Sequence, residues 1–191
     1  MTGAAPSLHY SFAEYERFER EARHKHEFVD GLILAMAGGT LEHGALCSAV
    51  NTALGTQLRG QRCRVFDSNA RLRSRSSGNA YYPDASVVCG HLEKDPEDDL
   101  SMVNPVVLVE VLSPSTEDYD RNDKLEEYKT IASLEHVVHV AHDEPRVDIW
   151  SRHESGWQVA SYGPGDQAPL AAIRCVLDVD ELYHDPLAAV E

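Results

Sequence analysis

Apolar and polar residues recur along the chain with two different periods. Over residues 11–23, aromatic residues return at three-residue spacing behind a serine, which predicts an amphipathic helix with a Ser cap. The next segment, HEFVDGLILA, predicts a β-hairpin that turns at Asp30-Gly31. Helical spacing then returns from about Leu46 to Leu58, with Gly60 as the C-cap. This part of the chain is therefore predicted as helix, hairpin and helix.

The later part of the chain is dominated by strand patterns. Strands are predicted at residues 63–67, 70–75, 84–89 and 105–112, and again in VVHVA, RVDIWSR and WQVASYG. Residues 113–132 predict one helix, which is entered through Ser or Thr and is rich in early acids. The acidic run EKDPEDD is interrupted by Pro96 and predicts a solvated loop. Together these elements predict an α/β or α+β fold, a mixed sheet flanked by helices.

Length and composition favour one domain. The 191 residues are 42% hydrophobic, enough for a sizeable core, so we expect a single domain over residues 1–191. No apolar run approaches the roughly 18 residues that a membrane span needs, and residues 1–20 lack the layout of a signal peptide. We therefore expect a cytoplasmic protein without membrane contact. The scattered cysteines, which form no C-x-x-C pair, predict reduced and mostly buried thiols: Cys47, Cys63, Cys89 and Cys175.

The charge of the chain limits its contact with nucleic acid. A formal charge of −15 argues against a general nucleic-acid coating protein, because binding a polyanion depends on Lys and Arg. One window, residues 59–75, carries six arginines against one acid. Within it Arg71, Arg73 and Arg75 alternate, so they share one face of an extended strand. A solvated strand face and a phosphate-contacting surface are both compatible with this pattern.

The most informative single residue is Glu110. It lies in PVVLVEVL, a near-continuous apolar strand in which an unpaired carboxylate would cost several kcal/mol. A second carboxylate, Asp84, precedes the strand pattern of YYPDASVV, 26 residues earlier. If the two strands are neighbours, the carboxylates converge and repel unless a cation lies between them. A hard divalent ion such as Mg²⁺ would satisfy both.

The helix that follows Glu110 supplies a candidate cation. Asp120, Lys124 and Tyr128 stand at i, i+4 and i+8, so they share one face of a helix. A lysine that points back to the carboxylate pair can stabilise charge on a phosphate during hydrolysis by a metal-activated water. The same spacing is also typical of an ordinary surface ion pair, and spacing alone leaves both interpretations open.

These residues also carry a resemblance to a known family. PDASVV with Asp84, VLVEVLSPST over residues 107–116, and D-x3-K-x3-Y from Asp120 to Tyr128 together resemble the Uma family of the PD-(D/E)xK nuclease superfamily. The resemblance covers roughly residues 10–185. It implies a restriction-endonuclease-like core, with Asp84 and Glu110 as ligands of Mg²⁺ or Mn²⁺.

The resemblance also assigns roles to neighbouring residues. The main-chain carbonyl of Val111 would complete the metal ligands. The superfamily lysine expected two residues after the acid is absent, because Leu112 occupies that place. The resemblance implies that Lys124 fills this role from the following helix, positioned by Asp120 and Tyr128.

Two further residues open the second helix. Glu42 would add a carboxylate to the metal, and His43 would hold a water or the phosphate. An acid in the first turn of a helix is equally typical of simple capping, so this pair is open to both interpretations.

The predicted function is a metal-dependent endonuclease that hydrolyses phosphodiester bonds of DNA. Arg71, Arg73 and Arg75 form a candidate DNA-facing set, and analogy with restriction-like folds predicts a homodimer. Two alternatives remain: a catalytically silent nuclease fold that serves as a binding or regulatory module, and a metal-dependent hydrolase of a smaller substrate.

Overall fold

The structure is a computed structural model that describes residues 9–36 and 38–188. Its helices are α1 (Phe12–Glu21), α2 (Leu41–Gln57), α3 (Glu117–Arg121), α4 (Asp123–Lys129) and α5 (Val179–Leu182), with a 3-10 turn at Ala171–Ile173. Its strands are β1 (His26–Val29), β2 (Leu32–Ala35), β3 (Cys63–Asp67), β4 (Arg71–Arg73), β5 (Ala80–Tyr81), β6 (Ala85–Cys89), β7 (Lys94–Asp95), β8 (Asp98–Met102), β9 (Val107–Val111), β10 (His136–Val140), β11 (Val147–His153), β12 (Gly156–Tyr162), β13 (Gln167–Leu170) and β14 (Cys175–Asp178). In the ranges described, no helix is long and apolar enough to cross a lipid bilayer.

The strands form a central sheet, a second sheet and a separate hairpin. The central sheet has the order β12-β11-β10-β9-β6-β3, in which only β9 and β10 are parallel. The second sheet has the order β2-β1-β5-β4-β8-β7, with β4 and β8 parallel. Strands β13 and β14 form the hairpin. The predicted mixed α+β architecture is therefore confirmed.

The central sheet is covered on both faces, and this decides where its polar residues point. Val107, Val109 and Val111 of β9 pack in one core with α2, the β13–β14 hairpin and α5. Leu108, on the opposite face, packs in a second core with residues of α4 and of the second sheet. Because side chains of a strand alternate between faces, Glu110 shares the face of Leu108 and points towards α4.

The early elements follow the sequence predictions closely. Ser11 caps α1 and forms a capping box with Glu14, and the hairpin turns at Asp30-Gly31. Helix α2 begins at Leu41 under a cap from Thr40, earlier than the apolar spacing indicated. The extra turn carries few buried residues, so a pattern based on apolar positions could not detect it.

The helix predicted over residues 113–132 is instead two short helices. Helix α3 ends at Arg121 and α4 starts at Asp123, because Asn122 adopts a non-helical backbone with φ −117° and ψ −90°. The side chain of Asn122 donates a hydrogen bond to the carbonyl of Asp118. The break keeps Asp120 close to Lys124 all the same, and their side chains lie 3.4 Å apart.

The acidic run EKDPEDD was wrongly predicted as a solvated loop. It contributes to the β7–β8 hairpin, and the side chain of Asp98 is buried. Asp98 forms an ion pair with Arg71, and Ser101 also bonds to this pair. Asp98 is buried because β4, which carries Arg71, lies next to β8 in the second sheet.

The prediction that all four cysteines are reduced is also wrong. Cys63 and Cys89 face each other in the β3–β6 register and form a disulfide. Cys47 and Cys175 are free thiols. The pairing depends on the antiparallel neighbours β3 and β6, which cysteine spacing in the sequence does not reveal.

Candidate active site

Asp84 and Glu110 lie on neighbouring strands, at the edge of the sheet where β6 begins and β9 ends. The two strands are antiparallel neighbours, with Ala85 opposite Val109. One further step of the same register places Asp84 opposite Glu110. The main-chain N–H of Val111 donates a hydrogen bond of 2.8 Å to Oδ2 of Asp84, which fixes this carboxylate against β9. The strands are thus neighbours, as convergence of the two acids requires.

Lys124 reaches this edge from α4 and contacts three carboxylates. Its Nζ lies 3.0 Å from Oε1 of Glu110, 3.0 Å from Oε1 of Glu27 and 3.4 Å from Oδ1 of Asp120. All four side chains are buried. We call Glu27, Glu110, Asp120 and Lys124 the lysine cluster.

Glu27 is the member that sequence reasoning missed. It lies in β1, on the same face as Val29, where it faces the core shared with α4. An acid inside the apolar strand HEFV is the same signal that singled out Glu110, and it was available in the sequence. Its partner was not, because only the packing of the second sheet against α4 brings β1 next to Lys124.

The lysine cluster carries an excess of negative charge. Three carboxylates face one ammonium group, and all are removed from water. Burial raises the pKa of Glu110 well above its ordinary value, although the charge of Lys124 acts in the opposite direction. The carboxylates of Asp120 and Asp84 add to this rise. A further cation beside Glu110 would therefore stabilise its ionised form.

Lys124 itself remains an ammonium ion. Burial alone would lower the pKa of Lys124, but the charges of Glu110, Glu27 and Asp120 outweigh it and hold the pKa well above its ordinary value. A lysine with a raised pKa is a fixed positive charge rather than a general base.

Tyr128 positions the glutamate instead of the lysine. Its hydroxyl donates a 2.6 Å hydrogen bond to Oε1 of Glu110, while its ring centroid is 5.8 Å from Nζ of Lys124. The side chain is fully buried. Lys124 and Tyr128 share one face of α4 and Asp120 reaches them from α3, but the polar contact of Tyr128 goes to Glu110.

The start of α2 approaches Asp84 from the other side. Nε2 of His43 lies 3.4 Å from Oδ2 of Asp84, and Sγ of Cys47 lies 3.5 Å from Nδ1 of the same imidazole. The hydrogen bond to Asp84 is the largest cause of a raised pKa at His43. Glu42 is exposed, and hydrogen bonds at the start of the helix lower its pKa, which is the behaviour of a capping residue. The helix thus brings His43 to the site and leaves Glu42 outside.

The three alternating arginines do not form one exposed surface. Arg71 is buried against Asp98, and Arg73 is flanked by Asp95 at 3.8 Å while its guanidinium stacks on the ring of Phe12. Arg75 is more than half exposed and lies 3.0 Å from a carboxylate of Glu93. These three arginines are therefore paired with acids of the run EKDPEDD.

A cleft gives access to Asp84. It has a volume of about 760 Å³ and lies between α2 and the end of β3. Neutral polar side chains line much of it, including Ser48, Asn51, Thr52 and Ser68. A ligand in this cleft would meet Asp84 and Cys47 directly.

The chain matches a known protein family over most of its length. The Uma2 family, described as "Putative restriction endonuclease", matches residues 12–180. Uncharacterized protein slr1290 of Synechocystis sp. is 33% identical over 184 residues, which is 94% of each chain. Uncharacterized protein sll1609 of the same organism is 31% identical over 126 residues, or 66% of this chain and 71% of the relative.

A solved structure has the same fold. The crystal structure of "a putative nuclease belonging to DUF820" from Anabaena variabilis superposes with a TM-score of 0.71 at 16% identity. The match covers 85% of this chain and 92% of the other. At this level of identity the similarity shows only that the two proteins share a fold, in this case a nuclease fold. The match over residues 12–180 shows that the chain belongs to the Uma2 family, which is described as "Putative restriction endonuclease".

Proposed function

We propose that this protein is a divalent-metal-dependent endonuclease that hydrolyses phosphodiester bonds of DNA at Asp84, Glu110 and Lys124. The observation that carries the proposal is the 3.0 Å contact between Lys124 and Glu110, next to the register position of Asp84. Two acids and a lysine at one sheet edge form a constellation suited to phosphoryl chemistry.

The residues present fit a hard divalent cation. Oδ2 of Asp84 and Oε1 of Glu110 accept the hydrogen bonds described above, and the second oxygen of each accepts none from the described residues. Carboxylate oxygens, with the main-chain carbonyl of Val111, are the donors that Mg²⁺ and Mn²⁺ prefer. Such an ion would polarise the phosphate and lower the pKa of a bound water. It would also offset the excess negative charge of the lysine cluster.

The side chains of the protein hold this arrangement in place. Val111 orients the Asp84 carboxylate through its N–H, and Tyr128 orients Glu110 through its hydroxyl. Asp120, at the end of α3, lies 3.4 Å from Lys124 of α4 and holds its ammonium group across the break between the two helices. Lys124 presents a permanent positive charge to a phosphate bound beside Glu110 and stabilises the charge that develops there. His43 would donate a hydrogen bond to a phosphate or a water near Asp84.

The proposal extends to the assembly and the extent of the domain. The chain would form one restriction-endonuclease-like domain and act as a homodimer, because two copies present one site to each strand of a duplex. Light scattering of the purified protein measures its mass in solution. A monomer at working concentration would contradict this part and leave the chemistry of the site unaffected.

One observation favours a second candidate function. Lys124 is only 5% exposed and already contacts three acids, and Arg71 and Arg73 are also engaged with acids. In a silent nuclease fold that serves as a binding module, the lysine cluster would be a purely structural group of ion pairs. Such a module would keep the fold without needing a metal.

Nicking of supercoiled plasmid at low salt distinguishes these functions. Wild type is compared in Mg²⁺, Mn²⁺ and EDTA with Lys124→Ala and with Lys129→Ala, a lysine of the same helix that pairs with the exposed Glu126. We expect nicking in Mg²⁺ or Mn²⁺, none in EDTA, loss in Lys124→Ala and retention in Lys129→Ala.

Two other outcomes would favour a different function. Folded wild type that leaves plasmid intact in every metal would contradict the endonuclease and favour the binding module. Hydrolysis of nucleotides or short oligonucleotides, with plasmid left intact, would favour the smaller-substrate hydrolase.

A further inference from the structure

Three donors of different chemistry surround one point beside the proposed active site. His43 and Cys47 stand at i and i+4 on α2, so their side chains share one helix face. One donor atom each of His43, Cys47 and Asp84 lies within 4.8 Å of the other two. All three residues are partly buried, and the cleft between α2 and β3 reaches two of them, Cys47 and Asp84.

The distances suit a tetrahedral ion. Nε2 of His43 is 3.4 Å from Oδ2 of Asp84 and 3.9 Å from Sγ of Cys47. Around a tetrahedral Zn²⁺, with bonds of about 2.0–2.3 Å, donor atoms are separated by roughly 3.3–3.7 Å. Small side-chain adjustments would therefore place all three donors around one ion and leave the fourth position for water.

A separate feature of the backbone supports the position of the imidazole. Gly39 lies just before α2, and a Cβ atom at this residue would come within 2.7 Å of Nδ1 of His43. Such a distance is too short for a real contact, so a larger residue at 39 would displace the ring. The loop thus leaves room for the His43 ring in the orientation that faces Asp84 and Cys47.

We propose that His43, Cys47 and Asp84 form a second cation site, which binds thiophilic transition ions such as Zn²⁺ and Co²⁺. Thiolate and imidazole donors favour these ions, whereas Mg²⁺ prefers oxygen donors. The Cys47 thiol loses its proton to the solvent as the ion binds. The two cation sites share the Asp84 carboxylate, so an ion in one site changes the orientation of this ligand for the other.

This sharing makes the second site inhibitory, a consequence that rests on the proposed function. Mg²⁺ needs Asp84 together with Glu110, but an ion held by His43 and Cys47 draws the same carboxylate towards α2. Zn²⁺ would then slow Mg²⁺-dependent hydrolysis by turning the Asp84 carboxylate away from the Mg²⁺ site. Cys47 is the residue that gives the second site its preference for thiophilic ions.

Binding can be measured without any enzymatic activity. A thiolate bound to Co²⁺ produces a charge-transfer absorption in the near ultraviolet, so purified protein is titrated with CoCl₂ and the absorption is recorded. The titration is done without reductant, which keeps Cys63 and Cys89 in their disulfide. We expect one equivalent of Co²⁺ to generate the band and Zn²⁺ to displace it.

Variants assign the band to the site. Cys47→Ser should abolish it, and His43→Gln should weaken Co²⁺ binding more than about tenfold. Cys175→Ala is the matched control for the other free thiol and should retain the band. Circular dichroism checks the fold of each variant. Absence of the band in wild type, or its retention in folded Cys47→Ser, would overturn the proposal.

A second measurement tests inhibition separately. Plasmid nicking in Mg²⁺ is recorded with and without Zn²⁺, and the ratio of the two rates is compared between wild type and Cys47→Ser. We expect Zn²⁺ to lower the rate in wild type and to have a much smaller effect in the variant. Equal inhibition of both would refute this effect of the second site. If neither protein nicks DNA, the endonuclease function fails, while the Co²⁺ titration still decides whether the cation site exists.

Discussion

Two buried groups of charges in this protein are built in different ways. Arg71 and Asp98 form a balanced pair inside the second sheet, where one cation meets one anion and Ser101 adds a hydrogen bond. The lysine cluster is unbalanced, because Lys124 faces three carboxylates. Both groups contain a basic residue that the sequence offered as a candidate for phosphate contact.

The difference separates a structural role from a chemical one. A balanced, hydrogen-bonded ion pair has no remaining demand for a cation. An excess of buried negative charge raises the free energy of the folded state unless protons or cations compensate it. The unbalanced cluster also lies beside Asp84, at the edge of the sheet. We therefore propose that the lysine cluster takes part in the chemistry and that the Arg71 pair contributes only to stability.

The largest expected effect follows from removing the cation of the lysine cluster. Lys124→Met leaves three buried carboxylates without their ammonium partner, so the free energy of unfolding should fall by about 3–5 kcal/mol. Nicking per folded molecule should fall on the order of 10²–10³-fold. Urea denaturation and plasmid nicking measure the two effects. A loss of stability below about 1 kcal/mol would show that the cluster is not tightly coupled.

The balanced pair should respond differently to the loss of its anion. Asp98→Asn leaves Arg71 buried without a counter-charge and should lower the free energy of unfolding by about 3 kcal/mol, with nicking per folded molecule unchanged. Asp99→Asn, the same change at the next and exposed position, serves as the control and should alter stability by less than about 0.5 kcal/mol. Loss of nicking in folded Asp98→Asn would contradict the separation of roles.

A smaller effect is expected from the hydroxyl of Tyr128. Tyr128→Phe removes the hydrogen bond to Glu110 and keeps the ring in the core. We therefore expect the free energy of unfolding to fall by about 1.5 kcal/mol and nicking to become roughly tenfold slower. Tyr81→Phe provides a control, because its hydroxyl accepts a hydrogen bond from Asn79 and its ring packs against Tyr128. If the two variants nick DNA equally fast, the Tyr128 contact does not position Glu110.

The smallest expected effect is the acid dependence of the Arg71 pair. Burial would raise the pKa of Asp98, but hydrogen bonds from Ser101 and Leu100 and the charge of Arg71 outweigh it and lower the pKa below its ordinary value of 3.8. Because the pKa of Asp98 is lower in the folded than in the unfolded protein, its ionised form stabilises the fold at any pH above the unfolded-state pKa. This stabilisation is lost as the pH falls through the folded-state pKa. Below about pH 4 the free energy of unfolding should fall more steeply in wild type than in Asp98→Asn. Parallel curves in this window would contradict the pairing.

The sequence predicted the site best where one residue posed a clear physical problem. Glu110 interrupts an apolar strand, and the demand for a partner led to Asp84 and to the helix that bears Lys124. The prediction of these residues rests on strand and helix periodicity, which can be read from a short segment of the sequence. The strand positions on both sides of Glu110 were predicted for the same reason.

The contacts that were missed depend on non-local packing. Glu27 joins the cluster only because the second sheet packs on α4, and Asp98 becomes buried only because β8 lies parallel to β4. The disulfide between Cys63 and Cys89 depends on strand register. The β13–β14 hairpin was missed as well, although it covers one face of the central sheet. The hydrophobic periodicity of a single segment does not reveal which strands become neighbours or how the sheets pack.

The central claim is tested most directly by the same substitution at Asp84, the carboxylate beside the lysine cluster, and at Asp98, the anion of the Arg71 pair. Nicking rates of Asp84→Asn and Asp98→Asn are compared with wild type at one fixed Mn²⁺ concentration, after circular dichroism has shown that both variants are folded. We predict that Asp84→Asn lowers the rate on the order of 10³-fold and that Asp98→Asn nicks as fast as wild type. A folded Asp84→Asn that nicks at the wild-type rate would contradict the assignment of the metal site and of the chemistry to this edge of the sheet.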